Sequence, residues 1–154
     1  MMETQAARCA WTISLAPPSP WTSPVLRVGH FERAEVGHFC RAPRPDGWLY
    51  FGSNRPGGVG KTDIWRARVR QGGSWTVENL GAGVNTADDE FEAEPSPDGS
   101  RLVITTNSGF YESKRKGDRF LPRTALQPNG KANGSEVGPL FSPRGTALLF
   151  SWDD

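Results

Sequence analysis

The sequence predicts an all-β fold assembled from repeated four-stranded antiparallel units, and three observations predict it. Gly 18 and Pro 13 together make up about a fifth of the 154 residues, while hydrophobic residues reach only 36%. That excess of turn formers over long apolar stretches favours many short strands. Three segments also answer one another: APRPDGWLYFGSN (42–54), EPSPDGSRLVITTN (94–107) and LFSPRGTALLFSW (140–152), with anchor prolines Pro45, Pro97 and Pro143 spaced 52 and 46 residues apart. Finally, in DIWRARVR the residues Trp65, Ala67 and Val69 alternate with Arg66, Arg68 and Arg70, which is the period-2 signature of a half-buried strand.

Each unit is expected to contain four strands. The first carries the Pro motif, the second is an apolar run such as RLVITTN or ALLFSW, the third opens on an aromatic, and the fourth begins at another aromatic. Asp46-Gly47 and Asp98-Gly99 fall where a tight hairpin turn is needed, with Gly supplying positive φ. Trp11, Trp65 and Tyr111 open the third strands. Trp21, Trp75 and Phe120 follow them by 10, 10 and 9 residues, and the next anchor proline comes 24, 22 and 23 residues later. A period of roughly 40–50 residues signals a propeller-like or solenoid array. The chain is accordingly divided into a tail (1–8) and one domain (9–154). The domain holds a half unit at 9–30, full units at 36–80 and 88–124, and a half unit at 134–154. Two, four, four and two strands give twelve.

The segment SNRPGGVGKTDIW, continued by GSWTVENLGAGVNTADDEFEAEPSPDG, resembles the WD40-like repeat of TolB-type β-propellers. The matching positions include Ser53, Arg55, Gly57, Gly58, Asp63, Ile64, Trp65, Trp75, Asn79, Leu80, Gly81, Val84, Asn85, Thr86, Glu90, Pro95, Ser96, Pro97, Asp98 and Gly99. Trp65, Trp75, Pro97, Asp98, Gly99, Asp63 and Arg55 are the structural anchors of the repeat. The match is specific over 43–107 and weaker over about 9–152. Arg144 stands where the pattern expects Asp. His38 replaces the Glu found at Glu90 and Glu136, each seven residues before its proline. The resemblance implies a partial or open β-propeller of four-stranded antiparallel blades, with that Glu near the central axis. Glu90, Glu136 and His38 are therefore the candidate channel-facing binding positions.

Several motifs compete with this reading. Gly57-Gly58-Val59-Gly60-Lys61-Thr62 resembles a phosphate-cradling loop. The residues before it do not complete either form of that motif, and the following segment alternates like a strand where a helix is required. The anchor proline lies 20 residues before Trp65 but only 14 before Tyr111, so GGVGK reads as an insertion in a hairpin loop, with Arg55 and Asp63 bracketing it and placed to pair. In DDEFEAE, alternation puts Glu90, Glu92 and Glu94 on one face, and Phe91 and Ala93 on the other. That row is the weak candidate for calcium or acid–base work, and a solvated strand face is its plainer reading. SKRKGDR places Lys114, Arg115, Lys116 and Arg119 around a Gly117-Asp118 turn, with no interleaved aromatics for nucleic-acid stacking.

No catalytic, cofactor or metal residues are assigned. There is neither a nucleophile elbow nor a His-Glu-x-x-His pair, and His30, His38, Cys9 and Cys40 are too few and too scattered for a zinc site. A net charge of +1 exerts no general pull toward nucleic acid or anionic membrane, and no apolar run reaches the ~20 residues of a spanning helix. The expected role is a non-catalytic scaffold that binds a protein partner through its loops, as propeller blades do. The alternatives are the propeller part of an enzyme, of the peptidase-gating or polysaccharide-lyase type, or a truncated fragment with no independent function. Relatives of the resembled type are commonly exported, although the N-terminus lacks the apolar core of a secretion signal. Three blades fall short of the four a closed propeller needs. A fragment, an open arc and a homo-oligomer that completes a ring are the three outcomes left open.

Overall fold

The computed structural model describes residues 47–127 and 136–151. Cys9, Trp11, Trp21, His30, His38, Cys40, Pro45 and Asp46, with the expected half unit at 9–30, lie outside them. The described residues form ten strands and no helix: β1 (Leu49–Ser53), β2 (Asp63–Val69), β3 (Trp75–Asn79), β4 (Glu90–Pro95), β5 (Arg101–Thr106), β6 (Gly109–Lys116), β7 (Arg119–Phe120), β8 (Thr124–Leu126), β9 (Val137–Phe141) and β10 (Leu148–Ser151). The fold is all β, with a strongly curled sheet.

Strands follow one another as antiparallel meanders. β1, β2 and β3 pair in sequence order to form the first sheet. In the second sheet β4, β5 and β6 pair in order, and the far side of β6 is shared by β7 at Arg115–Lys116 and β8 at Phe110–Glu112. β9 and β10 make a hairpin. The GGVGK stretch lies in the loop joining the antiparallel pair β1–β2, as the insertion reading required.

Three apolar layers hold these pieces together. Ile64, Val84, Leu102, Ile104 and Phe120 fill the space between the two sheets, with Tyr50, Leu80, Ala93 and Tyr111 against them. Phe51, Trp65 and Ala67 cluster with Trp75 and Val77 on the opposite face of the first sheet. Val103, Phe110 and Phe141 join the second sheet to the hairpin, with Leu126, Leu148 and Phe150 around them. Glycine allows the closest approach between sheets: a Cβ on Gly52 would lie 2.3 Å from the Phe91 carbonyl oxygen.

Two expectations about strand faces are corrected. Val69 is exposed and Arg66 is buried, the reverse of simple alternation. The Arg66 guanidinium is covered by the Trp48 ring at 4.2 Å and paired with Glu78 at 2.8 Å, which compensates its charge. In β4 the register shifts between Glu90 and Glu92, so Glu90 opposes Thr106 while Glu92 opposes Thr105. Such a bulge puts an extra residue in one strand. Glu90 therefore shares the face of Thr106, Ile104 and Leu102, while Glu92 and Glu94 share that of Thr105 and Val103. The acidic row is neither single-faced nor solvated: Glu90 is 0% and Glu94 6% exposed.

The hairpin turns recur in detail. In loop 96–100, Ser96 N–H donates to Arg101 O at 2.9 Å, Gly99 N–H to Ser96 O at 2.8 Å, and Arg101 N–H to Ser96 Oγ at 3.0 Å. In loop 142–147, Ser142 N–H donates to Ala147 O at 2.8 Å, Gly145 N–H to Ser142 O at 2.8 Å, and Ala147 N–H to Ser142 Oγ at 3.1 Å. Gly47, Gly99 and Gly145 all have φ near +70°, at 72°, 70° and 68°, a conformation that favours glycine. Arg144 in place of Asp leaves the turn intact because its bonds come from the serine and the backbone. The turns also touch. Arg101 Nη2 donates to Gly145 O at 2.8 Å, and a Cβ on Gly145 would meet Pro97 at 3.2 Å.

Candidate functional site

The groups with the most chemistry gather where the loop 54–62 and the β3–β4 connection meet. Thr62 and Asp89 form a parallel bridge, and Glu90 N–H donates to Thr62 O at 2.8 Å. These contacts set the start of β2 beside the start of β4. The Gly-rich loop then folds back over Asp63. Val59 N–H and Gly60 N–H donate to the two Asp63 carboxylate oxygens at 2.5 and 2.8 Å, and Asn79 Nδ2 donates at 2.7 Å. The amides that would cradle a phosphate thus hold the chain's own carboxylate. Room is a second reason for the glycines. A Cβ on Gly58 would lie 2.6 Å from Asp63 Oδ2, and one on Gly60 would lie 2.0 Å from Thr86 O.

A polar chain runs inward from Asp63. Asn85 accepts from Ile64 N–H at 2.8 Å and donates to Ile64 O at 3.0 Å, mimicking a neighbouring strand, and it also donates to Asn79 Oδ1 at 2.9 Å. Asn79 Oδ1 accepts from Gly81 N–H at 2.7 Å as well. Asn85 thereby gives the Ile64 N–H an acceptor and adds to the bond that Ile64 O accepts from Leu80 N–H, and Asn79 gives the Gly81 N–H an acceptor.

Glu90 is the second centre. Its carboxylate accepts from Thr86 Oγ1 at 2.7 Å and Thr86 N–H at 3.1 Å, and it pairs with Arg123 Nη1 at 2.7 Å. Arg123 Nη1 donates to Val84 O at 3.1 Å, Arg123 N–H donates to Gly83 O at 2.9 Å, and the guanidinium lies 4.2 Å from the Tyr111 ring centre. The charge is buried, paired and hydrogen-bonded on several sides, the conditions a buried ion pair needs. Nothing in the sequence pattern singled out Arg123. The one available cue was an arginine in the apolar stretch FLPRTAL, and the bulge that turns Glu90 toward it left no trace in the residue pattern.

The other expected positions separate. Glu136 is buried beside the start of β9, and His38 lies outside the described residues. Arg55 does not turn to Asp63. It donates to Ser53 Oγ from its amide at 3.3 Å and from Nε at 3.1 Å, and its guanidinium lies 4.8 Å from the Phe51 ring and 5.1 Å from the Trp65 ring. Burial lowers its pKa. Trp65 donates its indole N–H to Ser53 O at 3.2 Å. Pro97, Asp98 and Gly99 form the β4–β5 turn, and Trp75 flanks Phe51 and Trp65. Among the described residues, no group of three His, Cys, Asp or Glu side chains is arranged to hold a metal ion.

What fold and site define is an all-β protein of stacked antiparallel meanders whose carboxylates tie loops together. Compared with known proteins, the chain matches no family model, no curated protein and no solved structure.

Proposed function

We propose that the chain is a non-catalytic scaffold built on part of a β-propeller, and that it binds a protein partner through the loops at the ends of its strands. The observation that carries this reading is the use made of the carboxylates. Asp63 is held by two loop amides and Asn79, and Glu90 by Thr86 and Arg123. Groups committed in this way fix loop shape and are poorly placed to exchange protons with a substrate. The propeller part of the reading is supported by the matching turns 96–100 and 142–147 and by their stacking through Arg101 and Gly145. Repeated blades that present rigid loops are a common way to hold partner proteins.

Photo-crosslinking tests this reading. A photoreactive residue is placed at Val59 or Lys116, one at each end of the strands, and the full chain is exposed to an extract of the cells that make it. A discrete crosslinked polypeptide from at least one position is the expected result. No capture from either position, or a lyase or peptidase activity that Glu90→Gln abolishes, would overturn it.

A further inference from the structure

We infer that the β6–β7 ribbon is a docking surface for an extended acidic protein segment; this deepens the scaffold reading and rests on it. Lys114, Lys116 and Arg119 are exposed. The register places them on one face: Lys114 and Lys116 are two apart on β6, and Lys116 directly opposes Arg119. Lys114 in turn opposes Arg101. Two like-charged cross-strand pairs therefore sit next to each other, an arrangement that costs stability in an isolated ribbon. On a chain of net charge +1 this is a local concentration, not a general excess.

Each nearby acidic group has a contact of its own, although Asp98 and Asp118 remain exposed. Glu112 pairs with Arg101 at 3.3 Å, Asp118 lies 3.7 Å from Arg115, and Asp98 accepts from Ser96 and Ser100. The ribbon is also stiff. Gly117 turns it with φ 61°, Arg115 Nε donates to Gly117 O at 2.8 Å, Leu121 N–H donates to Lys114 O at 2.8 Å, and Ser113 Oγ donates to Leu121 O. The three cations are thus presented on a fixed frame, which reduces the ordering cost of binding.

The partner chemistry follows from the spacing. Alternate side chains of a strand repeat every ~6.5–7 Å, the same repeat as alternate carboxylates on an extended acidic peptide. A nucleic acid fits less well, because stacking platforms are missing from this face. Phe110 shares the face of Lys114 and Lys116 but is buried against Val103 and Phe141, and Phe120, which opposes Arg115 on the other face, is buried in the core.

The test uses the full chain and a fluorescent peptide of alternating glutamate and threonine, read by anisotropy. Binding should weaken as salt rises, because exposed charges are screened. The K114Q/K116Q/R119Q variant should bind about tenfold more weakly and melt no earlier than the parent. The charge-keeping variant K114R/K116R/R119K should bind as the parent does. No binding, undiminished binding by the glutamine variant, equal binding of a glutamine–threonine peptide, or tighter binding of a single-stranded oligonucleotide of equal charge would each overturn the inference. A partner captured from Val59 while the acidic peptide fails would leave the scaffold reading standing.

Discussion

At the scale of single residues, side chains in this molecule substitute for missing backbone partners. Asp63 is the clearest case, since three donors converge on one carboxylate. Asp63→Ala should cost about 2–4 kcal/mol by leaving those donors without an acceptor, read as a shift in the urea midpoint. Exposure of the Gly-rich loop to protease should rise in parallel. Asp98 supplies a pH signature. The Ser96 hydroxyl first, then the Ser100 amide and hydroxyl, hold its carboxyl down from 3.8 to about 2. Because the folded value lies below the unfolded one, the ionised carboxylate stabilises the fold fully above about pH 4, and the contribution disappears as pH falls toward 2. The stability gap between the parent and Asp98→Asn should therefore be widest near neutrality and close on acidification. A gap of constant size down to pH 2 would contradict the assignment.

At the scale of elements, glycines set how closely neighbouring pieces approach. Gly60 has backbone 2.0 Å from the place a Cβ would occupy, on Thr86 O. Gly60→Ala should therefore push the 54–62 loop off the β3–β4 connection and cost about 1–3 kcal/mol, measured by thermal melting. Much of this scale was legible in the residues. Asp63-Ile64-Trp65 opens a strand, the serine–proline–glycine turns fall at 96–100 and 142–147, and GGVGK lies in a hairpin loop. The departures of β2 and β4 from alternation share one cause, which is that a period of two describes a flat strand with one dry face. β2 is covered on both faces over Asp63–Ala67 and emerges only at Arg68 and Val69. β4 carries a bulge, and a bulge inverts every inference drawn across it. Arg66 reads as a solvent residue by type and becomes a core residue only because Trp48 and Glu78 come to it.

At the scale of the whole molecule, the Glu90–Arg123 pair joins the start of β4 to the segment linking β7 and β8. Removing one partner strands a buried charge, so Arg123→Met or Glu90→Gln alone should cost ~3–5 kcal/mol. The double variant should recover part of that loss, a coupling visible in a double-mutant cycle of denaturation free energies. The contact between Arg101 and Gly145 also has a consequence in time. The C-terminal hairpin is fastened to the β4–β5 turn and, through Phe141, to Val103 and Phe110 of the second sheet. It can therefore open while the two sheets remain closed, as a separate cooperative unit. Amide hydrogens of β9 and β10 should exchange with deuterium before those of β5. Gly145→Ala should speed exchange in the hairpin and leave β2 and β5 at the parent rate.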